Sequence, residues 1–170
     1  MSLVELDEKS LHGMTMQSFA GSALFDRTFD EGMAMVEEAA RYLDGRGKEE
    51  ARDLPRKAAM MYASESLRVT TRLMQAASWL LVQRAVHEGD MPASDATDER
   101  YRLGSKEICF GGRAEDAECL PKALRDLLAR SESLYCRIAR LEEVLLREAA
   151  PQPGVQAQFA RLEQAFARDA

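Results

Sequence analysis

The stretch TTRLMQAASWLLVQRAVHEGD, Thr70 to Asp90, holds the longest apolar run in the chain and its only tryptophan. It also carries Arg72, Gln75, Gln83 and Arg84. At 100° per residue, Ser66, Thr70, Leu73, Ala77, Leu80 and Leu81 fall on one side of a helix. Glu65, Arg68, Arg72, Gln75, Trp79 and Gln83 fall on the other. That sorting is expected of an amphipathic helix in water and not of a membrane span, which also needs about 18 or more consecutive apolar residues. Arg84 lands on the apolar side near the helix end, where its stem can lie on apolar surface while its head reaches water.

Working outward, RDLPRK opens this second helix, with Asp53 expected as N-cap and Pro55 in the first turn. The pattern continues to Gly89, which predicts a rod of about 50 Å at 1.5 Å rise per residue. Upstream, Phe25, Phe29, Gly32, Val36, Ala39 and Leu43 step by four and three and predict a first helix over Ser18–Asp44, ended by DGRG. Downstream, CLPKAL starts a third helix that runs to near Glu148. Its residues Leu120, Leu124, Leu127, Ser131, Leu134, Ile138, Leu141 and Leu145 alternate steps of four and three, a coiled-coil seam.

Residues 90–118 are irregular: MPASDATDERYRL has room for a short helix capped by Ser94, and Gly111–Gly112 reads as a turn. A connection this long either crosses the bundle end or has a function. APQPG breaks the chain before a short amphipathic segment with Phe159, Leu162 and Phe166 on one side. The expected organisation is a loose lead-in over 1–17, a helical domain over 18–148, and a linker with a short helix over 149–170. The fold class is all-α, an antiparallel three-helix bundle. The wide apolar arc on the second helix and the seam on the third offer more apolar surface than three helices bury, so a homodimer is expected.

Composition narrows the function. The 170 residues carry 29 acidic and 23 basic side chains, a net charge of −6, which argues against nucleic-acid binding and against attraction to an anionic membrane. MSLVELDEKS has no basic region followed by an apolar one, so no secretory leader is expected and cytoplasmic placement is the default. Cys109 and Cys119 are separated by nine residues, and His12 and His87 lie elsewhere, so reduced thiols are expected and no metal. Cys136 falls beside the third helix's seam as a packing residue. DGRGKEE lacks the frame of a phosphate loop, and Arg84 stands where a di-iron Glu-x-x-His motif would need glutamate. No cofactor and no catalytic residue is expected.

The strongest case for an enzyme is Arg68 with Arg72, one turn apart near Glu65 and Gln75, able to hold a dicarboxylate. The competing reading is a solvated face laced with i,i+3 and i,i+4 pairs. Trp79 on this stripe either anchors a partner or packs under the 94–103 segment or the C-terminal helix.

EGMAMVEEAARYLDGRGKEEARDLPRKAAMMYASESLRVTTRLMQAASWLLVQRAVHEGDM, then RLGS and LPKALRDLLARSESLYCRIARLEEVL, resemble the regulator of CtrA degradation (RcdA) family over roughly Phe19 to Leu146. The resemblance implies a three-helix bundle, a homodimer, and a non-enzymatic adaptor that helps ClpXP degrade CtrA and other substrates in the cell cycle. Its implied partners are ClpX, CpdR-like and PopA-like proteins and response-regulator substrates, in the cytoplasm with transient placement at a cell pole. The candidate partner-binding residues are Arg68, Arg72, Gln75, Trp79 and Gln83 on the second helix, with Phe159, Leu162 and Phe166. The rival functions are a scaffolding dimer with no part in proteolysis and a small helical enzyme using Arg68 and Arg72.

Overall fold

Ser22 divides the predicted first helix in two. In a computed structural model that describes residues 16–111 and 117–150, α1 spans Met16–Ala20 and α2 spans Ala23–Asp44. The Ser22 hydroxyl accepts from Phe25 N–H at 3.2 Å, satisfying one of the donors that a helix start leaves unpaired. The break turns α1 back so that Phe19, fully buried, meets Phe25 edge-on with ring centroids 5.7 Å apart.

One residue after α2, α3 begins and runs over Arg46–Arg52. Gly45 is the residue between, and Gly47 is there for space: a Cβ would collide with Tyr62 Oη and sit 2.8 Å from Tyr42 O. Asp53, expected to cap the next helix, instead closes α3, and Pro55 is the N-cap of α4, Arg56–Glu88. Gly89 ends α4 at φ 81°, a left-handed conformation that suits glycine. Two 3-10 turns follow at Asp95–Thr97 and Glu99–Tyr101, then the four-residue α5, Lys106–Cys109, and a 3-10 turn at Ala117–Cys119. The last long helix, α6, covers Lys122–Ala149.

The long helices α2, α4 and α6 pack pairwise. Every member of the predicted α6 seam, from Leu120 to Leu145, is buried. Fully burying one such leucine or isoleucine contributes about 1.5–3 kcal/mol. The seam is therefore used within the chain and is not spare surface for a dimer. On α2 the predicted face is nearly right: Phe25, Gly32 and Ala39 are buried, while Thr28, Met35 and Tyr42 go deeper than Phe29, Val36 and Leu43.

Helix direction departs from the expectation of an antiparallel bundle. Glu31 pairs with Arg137 and Glu38 with Arg130, so α2 and α6 are antiparallel. Arg84 lies over the Phe29 ring while Tyr62 reaches Gly47, so α2 and α4 are antiparallel too. It follows that α4 and α6 run parallel, and the connection between them must travel back along the bundle. Its length has that physical cause. Among the described residues no helix is long and apolar enough to cross a membrane. The lead-in up to residue 15 and the segment bearing Phe159, Leu162 and Phe166 lie outside the described residues.

Candidate functional site

The returning connection forms a strap, Leu103–Gly111, held along the α4/α6 groove by side chains. Three of them grip the backbone of two consecutive residues, Leu103 and Gly104. Leu103 N–H donates to Glu142 Oε1 at 2.7 Å, and Gly104 N–H donates to Gln75 Oε1 at 2.8 Å. Tyr135 O–H donates to the Gly104 carbonyl at 2.9 Å. Ser105 then adopts φ 56°, the left-handed region a serine rarely enters, and turns the chain into α5.

One turn further down α4, Arg72 holds the strap and α6 together. Its Nε donates to Cys109 O at 2.8 Å and its Nη1 to Leu128 O at 3.2 Å, while Nη2 stands 3.9 Å from the Glu132 carboxylate. The side chain is only 2 % exposed. Burial lowers the pKa of its guanidinium from the ordinary value, and Glu132 opposes that change. The group stays charged because arginine starts so high. Arg68 Nη1 donates to Gly111 O at 3.2 Å and pairs with Glu65 at 3.3 Å. The clamp leaves two large apolar side chains outside: Ile108 and Phe110 are half exposed, with the Phe110 ring edge-on to Tyr135 at 5.2 Å. Burial raises both the Cys109 thiol and the Tyr135 phenol above their usual pKa values. What this arrangement can do is present a fixed apolar knob. Among the described residues no group of three or more His, Cys, Asp or Glu side chains is placed to hold a metal ion.

The chain has a relative of known structure. A family model described as a protein of unknown function, DUF1465, matches residues 16–166. The crystal structure of RcdA from Caulobacter crescentus CB15 is 50 % identical in sequence, covers 76 % of this chain and 96 % of that one, and superposes with a TM-score of 0.62. The chain belongs to the RcdA family. No curated protein matches it. RcdA-family membership bears out the resemblance read from the sequence.

Within this RcdA-family fold the predicted stripe on α4 occupies an unexpected place. Arg72, Trp79 and Gln83 are 2 %, 2 % and 0 % exposed, and Glu65 is buried with them. The division of the helix into an apolar inside and a polar outside is thus corrected. The polar stripe faces inward, and Thr70 and Leu81 from the supposed inner side are exposed. Arg68, Arg72 and Gln75 are brought together by the strap they hold. Arg72 spends its donors on two carbonyls and a carboxylate of its own chain, which removes the cation pair an enzyme would have used. Trp79 packs on Phe19 of α1, centroids 5.9 Å apart. Gln83 stands apart: neither amide atom has a hydrogen-bond partner among the described residues. Arg84 behaves as expected, exposed over Phe29 and paired with Glu88 at 2.9 Å. Sequence reasoning missed Ile108, Phe110, Tyr135 and Glu142. The length of the connection was the one available signal for the first two.

Proposed function

We propose that this protein is a cytoplasmic homodimeric adaptor that helps deliver response-regulator substrates such as CtrA to ClpXP, together with CpdR-like and PopA-like proteins. Membership of the RcdA family is the observation that carries the reading. An adaptor works by holding substrate and protease-bound partner at high effective concentration, which needs fixed contact surfaces and no reaction. The clamped strap supplies one: Ile108 and Phe110 are exposed, while Arg68, Arg72 and Gln75 set their position from beneath. In this reading Arg72, Trp79 and Gln83 act on partner binding from inside the bundle. Phe159, Leu162 and Phe166 remain a second proposed contact, in the segment after the domain over 18–148.

The test is a reconstituted degradation assay with ClpXP, a CpdR-like protein, a PopA-like protein and a response-regulator substrate. Adding this protein is expected to speed loss of the substrate. A double Ile108→Ala, Phe110→Ala variant is expected to keep its helix content and to lose at least half of that acceleration. No acceleration by the wild type with all partners present would favour the scaffolding dimer instead.

A further inference from the structure

The strap is held by its main chain. Among the described residues, five side-chain hydrogen bonds reach it from α4 and α6, and every one ends on a backbone atom. These atoms are the N–H groups of Leu103 and Gly104 and the carbonyls of Gly104, Cys109 and Gly111. Leu103 and Cys109 bury their side chains. Ser105, Lys106, Glu107, Ile108 and Phe110 are all exposed. The side chains of Ser105, Lys106 and Glu107 make no hydrogen bond or ion pair among the described residues. Phe110 stands between the two groups: its ring is seated edge-on against Tyr135 and still faces outward.

A main-chain clamp fixes where a loop stands without fixing what its side chains are, since every residue but proline offers the same N–H and carbonyl. Lys106, Glu107 and Ile108 therefore serve neither the core nor the clamp. Free side chains on a loop that a rigid scaffold positions are the usual means of selecting a partner. We infer that Lys106, Glu107, Ile108 and Phe110 are the residues by which this adaptor tells one partner from another. The partner they fit is a folded protein whose apolar cleft takes Ile108 and Phe110 together. Its rim sets an acidic group against Lys106 and a basic group against Glu107. The apolar pair supplies hold, and the order of the two charges supplies discrimination, because like charges opposed across a rim repel. This rests on the adaptor reading above and assigns the choice of partner to the outward side chains alone. Gln75, Tyr135 and Glu142 are positioning residues, which hold the strap from beneath.

The test uses full-length protein and three labelled probes, each titrated separately by fluorescence anisotropy: the CpdR-like protein, the PopA-like protein and the response-regulator substrate. The double Lys106→Glu, Glu107→Lys variant reverses the charge order and keeps the net charge. It is expected to weaken binding of one probe by about tenfold or more and to leave the other two within about twofold. Its thermal midpoint and helical circular dichroism are expected to match the wild type. Ile108→Asn is expected to weaken the same probe. Tyr135→Phe, which loses the bond to the Gly104 carbonyl, is expected to lower the thermal midpoint and to keep the wild-type order of preference among the probes. Unchanged binding of all three probes by the charge-order variant would overturn the inference, and so would an equal loss on all three. A wild type that binds none of them would overturn the adaptor reading and the inference with it. A wild type that binds them through an inert strap would overturn the inference alone.

Discussion

Arg72 and Gln83 are both buried polar residues on one helix, yet their energetics have opposite signs. Arg72 is met by two carbonyls and a carboxylate, so Arg72→Met strands acceptors in the interior and is expected to cost about 2–4 kcal/mol. Gln83 has no partner among the described residues, so Gln83→Met keeps the volume, removes the desolvated amide and is expected to stabilise by about 1–2 kcal/mol. Urea unfolding of the two variants checks both, and equal signs would refute the argument. The thiols divide in the same way. Cys119 is exposed, whereas burial raises the pKa of Cys109, which is 1 % exposed. A maleimide at pH 8 is expected to label Cys119 within minutes and Cys109 only on unfolding, with mass spectrometry as the readout. None of this contrast could be read in the sequence. The partners of Arg72 come from positions 37 and 56 residues away, and no local pattern says which polar residue will be met by them.

At the scale of the element, α6 was legible and α4 was not. The seam is leucine at all but Ser131 and Ile138 and keeps to one face, so periodicity and burial agree. On α4 the inside holds Glu65, Arg72 and Gln83, and the outside holds Met60, Leu67, Met74 and Leu81. Sorting by polarity therefore misplaces Glu65, Arg72 and Gln83 while placing Leu73 and Leu80 correctly inside, because the strap and α6 supply Arg72 with polar partners in the interior. The strap itself carries a local cost at Ser105, whose left-handed φ of 56° is unfavourable for a residue with a Cβ. Ser105→Gly is expected to raise stability by about 0.5–1 kcal/mol, and Ser105→Val to lower it by more, as read by thermal unfolding. The cap at Ser22 gives a control of known sign: Ser22→Ala is expected to cost about 1 kcal/mol.

For the whole molecule, three helices could be counted from the sequence but their directions could not. Periodicity says which face of a helix is buried and nothing about which way it points. The long stretch between Gly89 and Lys122 held the missing information, since a chain joining two antiparallel neighbours needs only a few residues. The parallel arrangement of α4 and α6 also sets an order of events for a chain emerging from the ribosome. The α2–α4 hairpin joins neighbours through short links and can close as soon as both have been made. Until Cys109 and Leu128 arrive, the Arg72 guanidinium stays solvated, and it then binds strap and α6 in the same act. Pulse-labelling hydrogen exchange is expected to find the amides of α6 and of Leu103–Cys109 gaining protection in one late phase, after α2 and α4. Separate phases for strap and α6 would show that Arg72 does not couple them. A half-made chain would then carry its adaptor knob unformed, so that only finished copies could engage the protease machinery.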